Sequence, residues 1–355
     1  MSRISLTIFA LTVASSTAPV TAQEIDYVYR RSDSKPVAGA ITNVTNTGVT
    51  VNQKAPAREV EVPANDIQYI AWKSETASLK KARSDERSGN LAEAVSGFQE
   101  ALTEIGTGSA NMKTDIEFYL ARTATKLAQT DPSQITIAME SLSSFASQHR
   151  NSYRYYDAQL LLAEVALLAN DLGKAEAAYT DLEQSPWLDY QMAAKIGKAS
   201  VNLAREDILG AKRIFDEVAE SKTSTAAEQA RKFEAMLGQA SCLQQQTGYD
   251  EASSILNKII EETDASQSRV LAEAYMKLGD GYAAQGQNLK AAILAYLHVD
   301  VIPSLAAYSD LHAEALYRLS KLWPAVNEIN RGADAAAKLE AEYPNSPWLK
   351  PAGGG

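Results

Sequence analysis

Two periodicities divide the chain. From Asp26 to Trp72, apolar and polar positions alternate with a period near two, in short runs separated by turn residues. Tyr27-Val28-Tyr29, Val37 to Val44 with a break at Gly39, Val49-Thr50-Val51, Val60-Glu61-Val62 and Tyr69-Ile70-Ala71-Trp72 read as five strands, with Asn46-Thr47-Gly48 as a turn. Five short strands within residues 25–73 predict a small closed β-barrel, because closure removes exposed edges. After Ser74 the alternation stops. Alanine, leucine, glutamate and lysine then recur at helical spacing as far as Lys350. The boundary is expected between Trp72 and Ser78.

Across residues 75–350 the helical pattern repeats itself, the mark of a stacked array. One copy runs Tyr275, Leu278, Gly279, Tyr282, Gly286 and Ala291: aromatic, leucine, small, aromatic, turn glycine, small. Related copies contain Ala82, Gly89, Ala94, Phe98 and Ala101; Ala163, Ala166, Ala175, Tyr179 and Leu182; Ala199, Ala211, Phe215 and Val218; and Ala240, Gly248, Ala252, Leu256 and Ile259. Two copies are degenerate: Ala121, Ala138, Leu142 and Phe145, and Leu316, Leu319, Trp323, Ala336 and Leu339. Two antiparallel helices approach closely only where one side chain is small, and large residues fill the space beside the crossing. A single pair cannot bury its apolar face, so about seven pairs are expected to stack into a mainly α solenoid.

This order of residues resembles the tetratricopeptide repeat (TPR). The spacing here is about 36 to 42 residues against about 34 in that family, which predicts longer helices or loops. The front segment, GAITNVTNTGVTV followed by REVEVPANDIQYIAW, resembles the SH3-like or Sm-like barrels that open some bacterial envelope proteins. The segments LEAEYPNSPWLKP and FASQHRNSYRYYDAQLLLAE are similar to envelope TPR proteins, among them the outer-membrane assembly lipoproteins and the periplasmic coordinator of the Tol–Pal system.

Residues 1–22 read as a signal peptide: Arg3, an apolar stretch from Ile4 to Val13, and the small-residue site Val20-Thr21-Ala22 before Gln23. No cysteine follows that stretch, a departure from the lipoproteins. The apolar stretch is about ten residues, below the roughly 20 that span a bilayer, and no later run reads as a transmembrane helix. The expected product is exported, periplasmic or envelope-associated, and soluble, with a flexible tail at residues 351–355. A net charge of −10 on 355 residues argues against a nucleic-acid partner. The single cysteine, Cys242, forms no internal disulfide and is expected to be a buried, inert thiol. His149, His298 and His312 lack metal-ligand spacing and are expected at surfaces or helix ends. Gly279-Asp280-Gly281 lies within a helix, so its glycines are packing residues and not a phosphate loop. No catalytic, cofactor or metal site is expected, and the chain does not read as an enzyme.

The TPR resemblance implies a concave surface lined by the first helix of each repeat. Counted that way, repeat one presents Thr76, Leu79, Arg83, Glu86 and Arg87, and repeat two Asp115, Phe118, Arg122, Thr125 and Lys126. Arg83, Arg87, Arg122 and Lys126 over Leu79 and Phe118 form a candidate cationic pocket for an acidic peptide or protein. Glu86, Asp85 and Asp115 stand close enough to neutralise those cations locally. The later groove is expected to be apolar, through Ile196, Leu203, Leu237, Met276 and Tyr317. The resulting reading is a protein-interaction scaffold; the alternative is a structural subunit of an envelope assembly.

Overall fold

The computed structural model describes residues 25–106, 109–264, 267–286 and 288–349. The expected signal peptide and C-terminal tail lie outside the described residues. Five strands come first: β1 (Asp26–Arg30), β2 (Val37–Thr45), β3 (Gly48–Lys54), β4 (Ala57–Pro63) and β5 (Ile67–Ala71). They form one antiparallel sheet in the order β4-β3-β2-β1-β5. Val37, Ala38 and Gly39 of β2 pair with β1, whereas Ala40 to Thr45 pair with β3. A bulge between Ile41 and Asn43 bends β2 close to where it changes partner. Gly39 precedes that bend, and a Cβ there would meet the Asn52 carbonyl oxygen at 2.4 Å. Val28, Val49, Val51, Ile67 and Ile70 are fully buried. The end strands β4 and β5 share no ladder. β4 carries the exposed charges Arg58, Glu59 and Glu61, which discourage pairing with another chain.

The helices are α1 (Ala77–Arg87), α2 (Leu91–Ile105), α3 (Ala110–Ala128), α4 (Ile135–Gln148), α5 (Tyr155–Leu168), α6 (Leu172–Glu183), α7 (Leu188–Ala204), α8 (Ile208–Ala219), α9 (Ala226–Gln245), α10 (Tyr249–Glu262), α11 (Ser268–Gln285), α12 (Leu289–Val301), the short α13 (Pro303–Ala306), α14 (Ser309–Ala325) and α15 (Ile329–Glu342). They make seven packed pairs, α1–α2 through α11–α12 and then α14–α15. Six second helices bury one small residue, a large one four positions on and a further apolar one three beyond: Ala94/Phe98/Ala101, Ala138/Leu142/Phe145, Ala175/Tyr179/Leu182, Ala211/Phe215/Val218, Ala252/Leu256/Ile259 and Ala292/Tyr296/Val299. Burying each large side chain contributes about 1.5–3 kcal/mol.

The sixth pair corrects the sequence register by one: Ala292, not Ala291, is fully buried. Six of the intra-pair turns pass through a residue with positive φ: Gly89, Asn170, Glu206, Thr247, Gly286 and Asn327. In five of them the next residue caps the second helix, but in the sixth the cap is Asn288, one position later. That extra residue displaces the count. In the fifth pair the left-handed residue is Thr247, not the turn glycine Gly248.

The stack curves. α3 packs on α5, α5 on α7, α7 on α9, α9 on α11 and α11 on α14, whereas no comparable contact joins α4 to α6, α6 to α8, α8 to α10 or α10 to α12 among the described residues. An array whose first helices crowd together while its second helices stand apart has the first helices on its inner side. The sheet shares a core with the front of this array. Val28, Ile70 and Trp72 belong to one apolar cluster with Leu79, Phe118, Tyr153 and Tyr190.

Candidate functional site: the inner groove and the docked sheet

The sheet sits on the first helices through a buried carboxylate. Asp115, 1% exposed, accepts hydrogen bonds from Trp72 Nε1 (3.1 Å), the Tyr119 hydroxyl (3.1 Å), the Tyr153 hydroxyl (2.5 Å) and Arg154 Nε (3.2 Å). Arg154, equally buried, also donates to Asp157 (3.1 Å) and to the Gln68 carbonyl (3.0 Å). Its guanidinium lies 4.6 Å from the centre of the Tyr153 ring and 5.0 Å from that of Phe118. Arg83 donates to the carbonyl of Ile70 (2.9 Å). Two carbonyls of β5, two residues apart, thus accept from solenoid guanidiniums, and this covers the end of the sheet that β4 leaves unpaired. Arg31 reaches Asp157 (3.3 Å) and Asn65 reaches Asp189 (3.2 Å), extending the junction to α5 and α7. Burial pushes Asp157 up, but Arg31, Arg154 and the Tyr190 hydroxyl bring it below the usual carboxylate range.

The residues of the candidate cationic pocket fall into separate environments. Leu79 and Phe118 are core residues, 0% and 1% exposed, with no surface left for a ligand. Arg83 pairs with Glu75 (2.5 Å) and lies over Tyr69, and it shares the neighbourhood of Tyr119 with Arg122. Arg122 holds both oxygens of Glu86 (2.8 and 2.5 Å), and Lys126 adds a third contact to the same carboxylate (3.0 Å). Burial drives Glu86 up, yet Arg122 and Lys126 more than offset this and leave it below its ordinary range. Arg87 is exposed.

Behind the junction the groove is charged, not apolar. Leu237 and Met276 are buried, and Ile196, Leu203 and Tyr317 pack against core clusters. Positions counted from a shorter unit drift by about 100° per residue on longer helices, which turns the counted residues away from the groove. The inner faces carry Arg269, Glu273 and Lys277 on α11 and Asp310, Glu314 and Arg318 on α14, each set of mixed sign and spaced by four residues. Arg269 pairs with Asp310 (3.3 and 2.7 Å) and with Glu273 (3.0 Å), while Arg318 pairs with Glu314 (2.9 Å). This four-residue charge spacing is legible in the sequence.

Glu164 on α5 feels Arg231 and Glu234 of α9 and Arg269 and Glu273 of α11, although α7 and α9 intervene in the stack. Tight curvature with these faces inward accounts for that reach. Glu164 is exposed to the groove, yet the protein around it pushes it up to about 7, against the pull of Arg231 and Arg269. Burial likewise raises Glu273 and Glu314.

The remaining reactive groups are built into the packing. Cys242 is free and fully buried, and burial pushes its thiol up. His298 stacks on Tyr275 at 4.2 Å, and His149 contacts Glu117 (2.9 Å) at the end of α4. His312 corrects the expected surface placement: it is 3% exposed, between Asp300 (2.9 Å) and the Tyr343 hydroxyl (2.8 Å), and clasps α14 to α12 and to the end of α15. Among the described residues, no group of His, Cys, Asp and Glu side chains is placed to hold a metal ion, and no helix is long and apolar enough to cross a membrane.

No family model matches the chain, and no curated protein matches it. Solved structures do. A tetratricopeptide repeat protein from Parabacteroides merdae is 18% identical, with 74% of this chain and 91% of that one covered, at a TM-score of 0.46. A Rap protein complexed with competence and sporulation factor is 14% identical over 74% of this chain and 73% of that one, at 0.49. The apo form of RapI is 14% identical over 76% of each chain, at 0.39. The pair-by-pair register described above makes the helical array TPR-like.

Proposed function

We propose that this chain is an exported, non-catalytic scaffold that holds a partner segment in the inner groove formed by α5, α9, α11 and α14. The supporting observation is the row of charged side chains on those inner faces, which open onto the groove. The front of the array is taken up by the chain's own sheet. An acidic partner at the front has only Arg87, Lys126 and the flank of Arg122 to meet, because Arg83 and the apolar floor are engaged internally. We therefore place the partner at the rear. The export half of the reading rests on the signal-peptide pattern, and a mature N-terminus at Gln23 is its expected readout. The binding half is tested by installing a photocrosslinking residue at Glu314, inside the groove, and at the exposed Lys290, on a second helix, in separate full-length variants. A discrete adduct from position 314 alone is expected. Equal labelling from both positions, or none from 314, would remove the groove from the function.

A further inference from the structure

A cavity of about 380 Å³ lies in the seam between the sheet and the second helix pair, lined by Val44 of β2, Asn111 of α3 and His149, Arg150 and Asn151 at the link from α4 to α5. That volume falls in the range of small-molecule sites, which favour such junctions. Two further lining residues, Ser152 and Tyr153, are buried and tied to the junction: the Tyr153 hydroxyl donates to Asp115 (2.5 Å), and the Ser152 hydroxyl accepts from the Arg154 amide (3.1 Å). His149 is held against Phe145, 4.9 Å between ring centres, with Nε2 2.9 Å from Glu117. Arg150 is different. Among the described residues it makes no ion pair and no hydrogen bond, and the side chains of Asn111 and Asn151 likewise make none. All three are exposed, so a ligand reaches them without opening the fold. No aspartate or glutamate lines the cavity among the described residues. In a chain of net charge −10, a cation and two amides with unused donors thus surround one cavity that holds no carboxylate to answer them.

We propose that this cavity binds a phosphoryl group, carried by a small organic molecule or a lipid headgroup, with Arg150 and the amides of Asn111 and Asn151 as its donors. It is a second site, separate from the inner groove, and does not depend on it. A guanidinium fork bonds two oxygens of an oxyanion at once. The amides, one on α3 and one beyond α4, add donors outside the plane of that fork, which suits a tetrahedral phosphoryl group better than a flat carboxylate. A bare phosphate fills only part of the cavity, so the organic group rests beside Val44 and the His149 ring.

The test is calorimetric titration of the mature chain at low salt, where exposed charges are least screened, with glycerol 3-phosphate, inorganic phosphate, acetate and glycerol in turn. Glycerol 3-phosphate should bind, acetate about tenfold more weakly, and glycerol not at all. Arg150→Gln should weaken glycerol 3-phosphate by about tenfold or more, the loss of a charge-assisted bond. Asn111→Asp should abolish binding by placing a carboxylate in the cavity, while the thermal midpoint holds or rises, because an acidic side chain is favourable in the first turn of α3. If inorganic phosphate binds as tightly as glycerol 3-phosphate, the phosphoryl group alone is recognised. If the chain sediments with phosphatidylglycerol vesicles but not phosphatidylcholine vesicles, and Arg150→Gln abolishes this, the source is a lipid headgroup. Both outcomes uphold the inference. It is overturned if acetate or glycerol binds as tightly as glycerol 3-phosphate, if both variants bind glycerol 3-phosphate unchanged, or if no probe binds.

Discussion

The most exacting residues here are Asp115 and Arg154, a fully buried ion pair whose other bonding capacity is filled by Trp72, Tyr119, Tyr153, Asp157 and the Gln68 carbonyl. Removing one member strands the other charge inside protein, which costs about 3–5 kcal/mol. Arg154→Ala and Asp115→Ala should each lower stability by that amount in denaturant titration, and the double variant by much less than their sum. Arg122→Glu tests the second cluster. Judged on the helix alone, losing a like charge beside Lys126 looks harmless or slightly favourable. The structure predicts the opposite, because the new carboxylate would face buried Glu86, so the thermal midpoint should fall. Glu86 also sets a pH dependence. Its folded value lies below the unfolded one, so its contribution is present above the ordinary glutamate range and is lost on acidification through the lowered value. In the Arg122→Glu variant that loss should begin at higher pH.

The spacing of helical elements was legible, down to which alanine and which large residue line the crossing in most pairs, because the crossing leaves room for only one small residue. The sixth pair was misread by one position because an extra turn residue has no hydrophobic signature. Ala292→Leu should therefore cost about 1–3 kcal/mol by overpacking, while Ala291→Leu, on a half-buried position, should be nearly neutral. Thermal melts of the two variants separate the registers. The turns offer a second check. Thr247 is β-branched yet holds φ at +62°, where its side chain crowds the backbone. Thr247→Gly should raise stability by about 0.5–1 kcal/mol, the relief of strain outweighing the added freedom of the unfolded chain. An unchanged or lower midpoint would contradict the left-handed assignment.

At the scale of the whole molecule, sheet and solenoid behave as parts of one core. Two separate domains would melt separately. Here Trp72, Arg83 and Arg154 cross the boundary, and the apolar cluster runs from Val28 through Phe118 to Tyr190. The full chain should accordingly lose its sheet and its first helix pairs in one transition. A truncated chain of residues 75–349 should retain a mainly helical spectrum but melt at lower temperature and bind an apolar dye. A truncated solenoid as stable as its counterpart in the full chain would mean that the junction contributes nothing.

Local sequence determined what local forces decide. The strand-to-helix change near Ser74 follows from a period of two giving way to helical spacing, and the seven pairs follow from recurrent small residues at the crossings. The Thr225–Glu228 capping box that starts α9 is local in the same way. Tertiary structure decided the rest. Which cations are free depends on partners far along the chain: Arg122 is answered by Glu86 and Arg83 by a strand carbonyl, and the sequence offers both cations equally to solvent. The character of the groove depends on helix rotation, where a one-residue error turns a side chain by about 100° and exchanges an inner face for a packed one. That Glu164 on α5 feels the charge of Arg269 on α11 depends on the accumulated curvature of several pairs, a sum of small inter-helix angles that no single repeat records.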